Sequence, residues 1–227
     1  MKKHNNNNKS ILKFNHIIFD LDGTISDPTI GIRNSLEYSV RKMGINFDIS
    51  SRFNEFIGPP LHIGIGSIMG LSENDTEKAV KYFREYYAKA GLYENITYPG
   101  IKELFDKLKE RKAEIYIATS KYEKYALKVI DNHGLSEHIT FLAGADYKGS
   151  GAEKESLIKR VIDKIIDEDR KNIVMIGDRS FDILAAKRMQ ISAVAVLYGF
   201  GTEEELSEAG ADYIVRNVQE LSDLLIS

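Results

Sequence analysis

The chain has 227 residues, 43% of them hydrophobic and 29% charged, enough for one large core or for a core carrying a small inserted domain. A formal net charge of -3 gives no global basic field, which speaks against nucleic acid as a partner. There is no cysteine, hence no disulfide framework and no thiolate ligand or nucleophile, a usage compatible with the cytoplasm; no apolar run approaches the ~20 residues of a membrane span.

Residues 1–10 are mostly Lys and Asn with one His and lack the apolar middle of a secretion signal, so they read as a disordered leader. Residues 17–27 then read Ile-Ile-Phe-Asp-Leu-Asp-Gly-Thr-Ile-Ser-Asp. The apolar start, with Phe14 before it, fits a strand buried on both faces. Asp20, Asp22 and Asp27 follow, with Gly23 among them. Unpaired buried carboxylates are costly, so these belong at the open end of the strand, where a cation or water meets them. Residues two apart in extended chain share a side, so Asp20 and Asp22 aim together, and Gly23 permits a sharp turn. An Asp-Gly turn signal alone would explain Gly23 and one Asp, but not the second Asp inside the apolar run.

Ile32, Leu36, Tyr38, Val40 and Met43 predict a helix over 29–43, stopped by Gly44. A short helix is predicted over 47–58, broken by Gly58-Pro59-Pro60, and a glycine-dotted one over 61–69. Residues 73–90 form a stronger one, with Ala79, Val80, Phe83, Tyr86, Tyr87 and Ala90 at helical spacing. Residues 27–96 are thus expected as an all-helical block. After Pro99-Gly100 the pattern changes. A helical face at Ile101, Leu104, Phe105 and Leu108 precedes a strand over 114–118. That strand runs into Thr119-Ser120 and a helix to 131, with Ser120 and Glu123 at capping-box spacing. A strand at 139–142 leads into a glycine-rich loop over 144–152, then a helix over 153–166 with Ile165 and Ile166 inward. Next come a strand at 173–176 with Gly177-Asp178 behind it, a helix over 181–188, a strand at 193–197, a helix at 203–208, a strand at 213–215 and a helix at 218–225.

This alternation is the signature of an α/β fold with a doubly wound parallel sheet. The first strand must join that sheet. The expected division is a leader (1–10), an α/β core (11–26 and 97–227) and an inserted all-helical domain (27–96). In such sheets ligands bind beyond the carboxyl ends of the strands. Asp20, Asp22, Thr119, Asp178 and, one helical turn on, Asp182 arrive there, and Lys154 opens the helix before the fourth strand. Clustered carboxylates repel and need a divalent cation; an all-oxygen site favours magnesium over zinc. Magnesium beside a lysine and a hydroxyl suits a phosphoryl group.

Asp20-Leu-Asp-Gly-Thr24, Thr119, Lys154 and Gly177-Asp178-Arg-Ser-Phe-Asp182 resemble the four ordered motifs of the haloacid dehalogenase-like superfamily, in its phosphoglycolate phosphatase-like branch with a helical cap after the first motif. Gly58-Pro59-Pro60-Leu61 is similar to a sequence of such caps. The resemblance implies a Rossmann-like core and a phosphatase acting on a small phosphorylated metabolite: phosphoglycolate, a nucleotide or a sugar phosphate. It implies Asp20 as nucleophile forming an aspartyl-phosphate and Asp22 as acid then base. It implies Thr119, with Ser120, and Lys154 on phosphate oxygens, and magnesium on Asp20, the main-chain carbonyl of Asp22 and Asp178, with Asp182 nearby; Gly23, Thr24 and Gly177 support these. A cytoplasmic monomer or homodimer, without nucleic acid or membrane, is expected. Three features depart from the pattern: Glu155 stands where proline is frequent, Lys148 competes with Lys154, and Arg179 stands where Ser or Thr is common. A phosphosugar mutase on the same scaffold and a non-enzymatic phospho-acceptor module remain as alternatives. His62, Arg33, Arg52 and Arg84 lie in the cap and are expected as plain surface rather than as substrate contacts, and Phe83, Tyr86 and Tyr87 as cap core rather than as a base-stacking platform.

Overall fold

A computed structural model describes residues 12–166 and 169–226; the expected leader lies outside them. In chain order the elements are β1 (His16–Phe19), β2 (Ser26–Asp27), α1 (Thr29–Met43), α2 (Leu61–Met69), α3 (Glu73–Tyr86), β3 (Ile96–Thr97), α4 (Ile101–Glu110), β4 (Glu114–Tyr122) and α5 (Glu123–Asn132). They continue with β5 (Ile139–Ala145), α6 (Lys154–Ile162), β6 (Ile173–Gly177), α7 (Ser180–Arg188), β7 (Ser192–Val196), α8 (Glu203–Glu208), β8 (Tyr213–Val215) and α9 (Val218–Leu225). Six strands form one parallel sheet in the order β5-β4-β1-β6-β7-β8.

The first strand is central, with Phe19 in register with Ile117 on one side and Ile176 on the other. Ile17, Ile18 and Phe19 are fully buried, as an apolar run with no polar alternation requires. Side chains alternate between two cores. Ile17 and Phe19 meet Leu104, Phe105 and Leu221, from α4 and α9; Ile18 and Met175 meet Leu157, Ile158 and Ile183, from α6 and α7. The chain order reverses direction between β1 and its neighbours, which opens the crevice at their carboxyl ends.

The chain leaves the sheet and returns through an antiparallel ribbon in which Ser26 pairs with Thr97 and Asp27 with Ile96. Between them lie α1, α2 and α3. Helix α3 starts under Ser72, whose Oγ accepts from Asp75 N at 3.2 Å. Gly31 of α1 sits against Gly91, where a β-carbon would lie 2.0 Å from the Gly91 carbonyl oxygen.

Several boundaries differ from the sequence expectation. The helix expected over 47–58 reduces to a 3-10 turn, Phe53–Phe56. Asp48 takes Ser50 N at 2.9 Å and Ser51 Oγ at 3.1 Å, local bonds that compete with a helix. The helix expected to reach 90 ends at Tyr86 and widens into a π turn, Tyr87–Gly91. Strands β4 and β5 run on to Tyr122 and Ala145. Ser120 is therefore in a strand and caps nothing: its Oγ donates to Ala152 O at 2.8 Å, while Glu123 accepts from Gly144 N at 3.1 Å. Helix α6 stops at Ile162, and Ile166 is 96% exposed rather than inward.

Candidate active site

The main chain past β1 keeps the ladder for one residue, with Asp20 N donating to Ile176 O at 2.9 Å. It then turns through Leu21, which is fully buried, and Gly23, which has φ +87°. Any side chain at Gly23 would strike the Asp178 carboxylate, since its β-carbon would lie 2.1 Å from Oδ2. Gly177 is equally confined, with a β-carbon position 2.2 Å from Asp182 Cγ. These glycines let three carboxylates crowd together. Oxygens of Asp20, Asp178 and Asp182 lie within 4.8 Å of one another, all buried.

Each carboxylate is held. Asp20 Oδ1 accepts from Leu21 N at 2.7 Å and lies 2.9 Å from Lys154 Nζ; Oδ2 takes no hydrogen bond among the described residues. Asp178 accepts from Thr24 Oγ1 at 3.2 Å and from Phe200 N at 2.8 Å. Asp182 accepts from Arg179 N at 3.1 Å and lies 2.9 Å from Lys154 Nζ. Burial, then the neighbouring Asp182 and Asp20, push the Asp178 carboxyl up to about 8. Burial also raises Asp182, against the pull of Lys154. Lys154 is buried and donates to Ala118 O at 3.0 Å. Burial works against its charge, but Asp182 and Asp20 together hold its pKa above the usual lysine value. Lys148 is exposed and stands apart, so Lys154 is the lysine at the strand ends.

Asp22 faces the same cavity as Asp20 but does not join the carboxylate cluster. Its side chain forms an ion pair with Lys121, whose ammonium also sits 5.3 Å from the centre of the Tyr87 ring. Burial raises the Asp22 pKa, and Lys121 opposes the rise. An Asp22 carboxylate turned away from the cluster is consistent with the expectation that this residue meets a metal through its main-chain carbonyl. Thr119 and Ser120 line the cavity; Thr119 Oγ1 accepts from Lys121 N at 3.2 Å.

The far wall comes from the helical block: Ile32, Leu36, Phe56, Ile57, Leu61, Phe83 and Tyr87, with Tyr122 and Tyr125 opposite. His62 and Arg84 also line it, contrary to the expectation of plain surface; Arg84 lies over the Tyr147 ring at 4.1 Å. Arg33 and Arg52 do not, being bonded to Ser50 and Glu55. Sequence reasoning missed Lys121, Gly199 and Phe200. A β-carbon at Gly199 would lie 2.4 Å from Asp178 Cβ, so the loop after β7 closes on the cluster. In the sequence these residues stand only as a lysine after Thr119-Ser120 and as Gly199-Phe-Gly201 shortly after a strand, patterns with no local reason to face the cluster.

The carboxylates act as a set with the two lysines. Lys121 pairs with Asp22, and Lys154 with Asp20 and Asp182; with all four carboxyls ionised two negative charges would be left unmatched, which one divalent cation would balance. A buried, all-oxygen donor set of this kind fits magnesium.

A doubly wound sheet with a helical insertion after its first acidic strand end, and a carboxylate set of this order, defines a class of hydrolases. Residues 17–196 match the haloacid dehalogenase-like hydrolase family, and the chain belongs to it. It is 36% identical over 195 residues to a 5'-nucleotidase of Pseudomonas aeruginosa, covering 86% of this chain and 88% of that one. It is 29% identical over 211 residues to the tyrosine-protein kinase PtkA of Mycobacterium tuberculosis (92% and 72% covered). It is 23% identical over 217 residues to a phosphoglycolate phosphatase of Vibrio parahaemolyticus (92% and 95% covered). A solved haloacid dehalogenase-like family hydrolase from Streptococcus pneumoniae superposes with a TM-score of 0.82 at 28% identity, covering 92% of this chain and 97% of that one. Within its family the chain falls among the phosphomonoester hydrolases. Among the described residues no helix is long and apolar enough to cross a membrane.

Proposed function

We propose that the chain is a magnesium-dependent phosphatase that hydrolyses a small phosphomonoester through an aspartyl-phosphate on Asp20. The observation that carries this reading is the unequal treatment of the two Asp20 oxygens. Oδ1 is fixed by Leu21 N and Lys154, while Oδ2 is left without a hydrogen bond at the cavity. Oδ2 would form the bond to phosphorus as the bond from phosphorus to the leaving oxygen breaks. Asp22, raised by burial and facing the same cavity, would give its proton to that oxygen. As a carboxylate it would then take a proton from water, whose oxygen displaces Asp20 and releases phosphate. Magnesium, held by Asp20, Asp178 and the main-chain carbonyl of Asp22 with Asp182 nearby, would supply positive charge against the phosphoryl oxygens. Thr119, which lines the cavity, would meet those oxygens through its hydroxyl, Ser120 would do so only through its main chain because its hydroxyl donates to Ala152 O, and Lys154 would keep Asp20 oriented.

The helical block of residues 27–96 would act as a cap that excludes water during phosphoryl transfer. Its relatives' names bring nucleotides and phosphoglycolate forward as substrates, with sugar phosphates beside them, in the cytoplasm. The test is phosphate release from p-nitrophenyl phosphate with magnesium, then from nucleoside monophosphates, sugar phosphates and phosphoglycolate. Release from at least one is expected, and Asp20→Asn must remove it. A protein that takes a phosphoryl group but never releases phosphate would instead be an acceptor module.

A further inference from the structure

Arg179 follows the carboxylate Asp178 directly and opens α7, yet its side chain leaves the cluster and crosses to the helical block. Its Nη1 donates to the carbonyl oxygen of Ile57 and lies 3.5 Å from that of Asn54. These carbonyls stand at the end of the 3-10 turn Phe53–Phe56; that of Asn54 already accepts from Ile57 N at 3.3 Å, so the bond to Ile57 O is the one that ties the turn's exit to the sheet domain. On the core side, Arg179 Nε donates to Glu205 Oε1 at 3.1 Å. Glu205 is itself fixed by Ser180 N and Ser180 Oγ, both at 2.8 Å. Next to Ile57, Gly58 has φ +106°, and a β-carbon there would lie 3.3 Å from Arg179 Nη1. Only glycine combines that backbone with so close a guanidinium.

We infer that Arg179 is a positioning residue, a clasp from the carboxylate loop to the cavity wall that holds residues 56–61 in the substrate-binding arrangement. Phe56, Ile57, Gly58, Pro59 and Leu61 all line the cavity that holds Asp20, while Arg179 does not. The guanidinium fork suits the task because one side chain can hold Glu205 and two carbonyls at once. Ile57 and Asn54 both lie in the helical block while Arg179 opens a helix of the sheet domain, so these bonds exist only while the block lies against the sheet.

This inference rests on the phosphatase reading for its kinetic consequence but not for its structural one. Without the clasp, the substrate-binding arrangement becomes a minor state of the free protein, and apparent affinity falls by the fraction still assembled. Saturating substrate restores it. Arg179→Ala is therefore expected to raise KM roughly ten-fold while kcat falls much less. Arg179→Lys keeps the charge for Glu205 but loses the fork, and is expected to raise KM in the same way; it carries the test if Arg179→Ala does not fold. Hydrogen exchange at the amides of residues 53–58, in the free protein, is expected to quicken in both variants, and this needs no turnover. The clasp is overturned if exchange there is unchanged, or if the loss falls on kcat with KM unmoved, which would confine Arg179 to shaping the carboxylate loop. If the unaltered protein releases no phosphate from any substrate while exchange quickens in the variants, the phosphatase reading fails and the clasp stands.

Discussion

Lys121 forms an ion pair with Asp22 across 99 residues of sequence, and the pair is nearly sealed, with 7% and 18% of the two side chains exposed. Burial pushes Asp22 towards its neutral form, and Lys121 pulls it back. Removing the cation as Lys121→Met should let the Asp22 pKa rise further, since an opposite charge at this range lowers a carboxyl by about 1–3 units. On the proposed mechanism hydrolysis of the phosphoenzyme needs Asp22 ionised, so the acid limb of the kcat profile should move to higher pH by a similar amount. A kcat profile with p-nitrophenyl phosphate checks this; an unmoved limb would show that Lys121 does not tune Asp22.

Asp178 gives a second pH dependence, this time in stability. Without metal its folded pKa is pushed up to about 8, above the ordinary carboxylate range. The native state then binds the proton more tightly than the unfolded chain. On this account the metal-free protein loses stability as pH rises towards 8. If magnesium sits here as proposed, it binds the ionised group and must displace that proton below pH 8, costing roughly a factor of ten in affinity per pH unit. The rise in melting temperature on adding magnesium should be larger at pH 8 than at pH 6. EDTA should abolish activity and excess magnesium restore it. Equal thermal shifts at the two pH values would remove Asp178 from the metal site.

Lys154 and Lys148 separate cleanly. Lys154 touches Asp20, Asp182 and Ala118 O, so Lys154→Met leaves buried carboxylates uncompensated. A loss of about 3–5 kcal/mol is expected, lessened by magnesium, together with loss of turnover. Lys148→Met on the exposed loop should change stability by less than about 0.5 kcal/mol. Thermal melts of both variants, with and without magnesium, decide the assignment.

The sheet and its acidic strand end were legible because their causes are local. Ile17 to Phe19 could be stable only as a two-sided buried strand, and Asp20 and Asp22 only at its open end. Asp182 was legible as one helical turn beyond Asp178. Lys121 was not, because a lysine after Thr119-Ser120 has no local reason to turn inward; its partners are Asp22 and Tyr87, far away in sequence. Gly199 and Phe200 were hidden likewise, their purpose being the approach to Asp178. The 47–58 stretch misled because a short helix before Gly58-Pro59-Pro60 leaves out the local turn that the Asp48 side chain makes with Ser50 N. Ser120 and Glu123 misled because the capping pattern fits the sequence, while Ala152, Gly144 and Arg160 claim both side chains.

The proposed mechanism gives Asp20 and Asp22 different roles, and the leaving group separates them. Asp20 Oδ2 must bond to phosphorus, so Asp20→Asn should abolish turnover of every substrate, an amide being a far poorer nucleophile. As the proposed acid, Asp22 would give a proton to the departing oxygen, help worth ~10² to 10⁴-fold that matters most for a poor leaving group. An alkoxide from a sugar or glycolate is poor; p-nitrophenolate leaves unaided. Asp22→Asn should therefore slow phosphorylation of Asp20 by alkyl phosphates far more than by p-nitrophenyl phosphate. It also deprives the attacking water of its base, so phosphoenzyme should accumulate with the activated substrate alone. Rapid-quench measurement with both substrates reads the two steps apart. Equal losses for the two leaving groups, with no trapped phosphoenzyme, would leave Asp22 as the structural partner of Lys121 and place the acid elsewhere in the cavity.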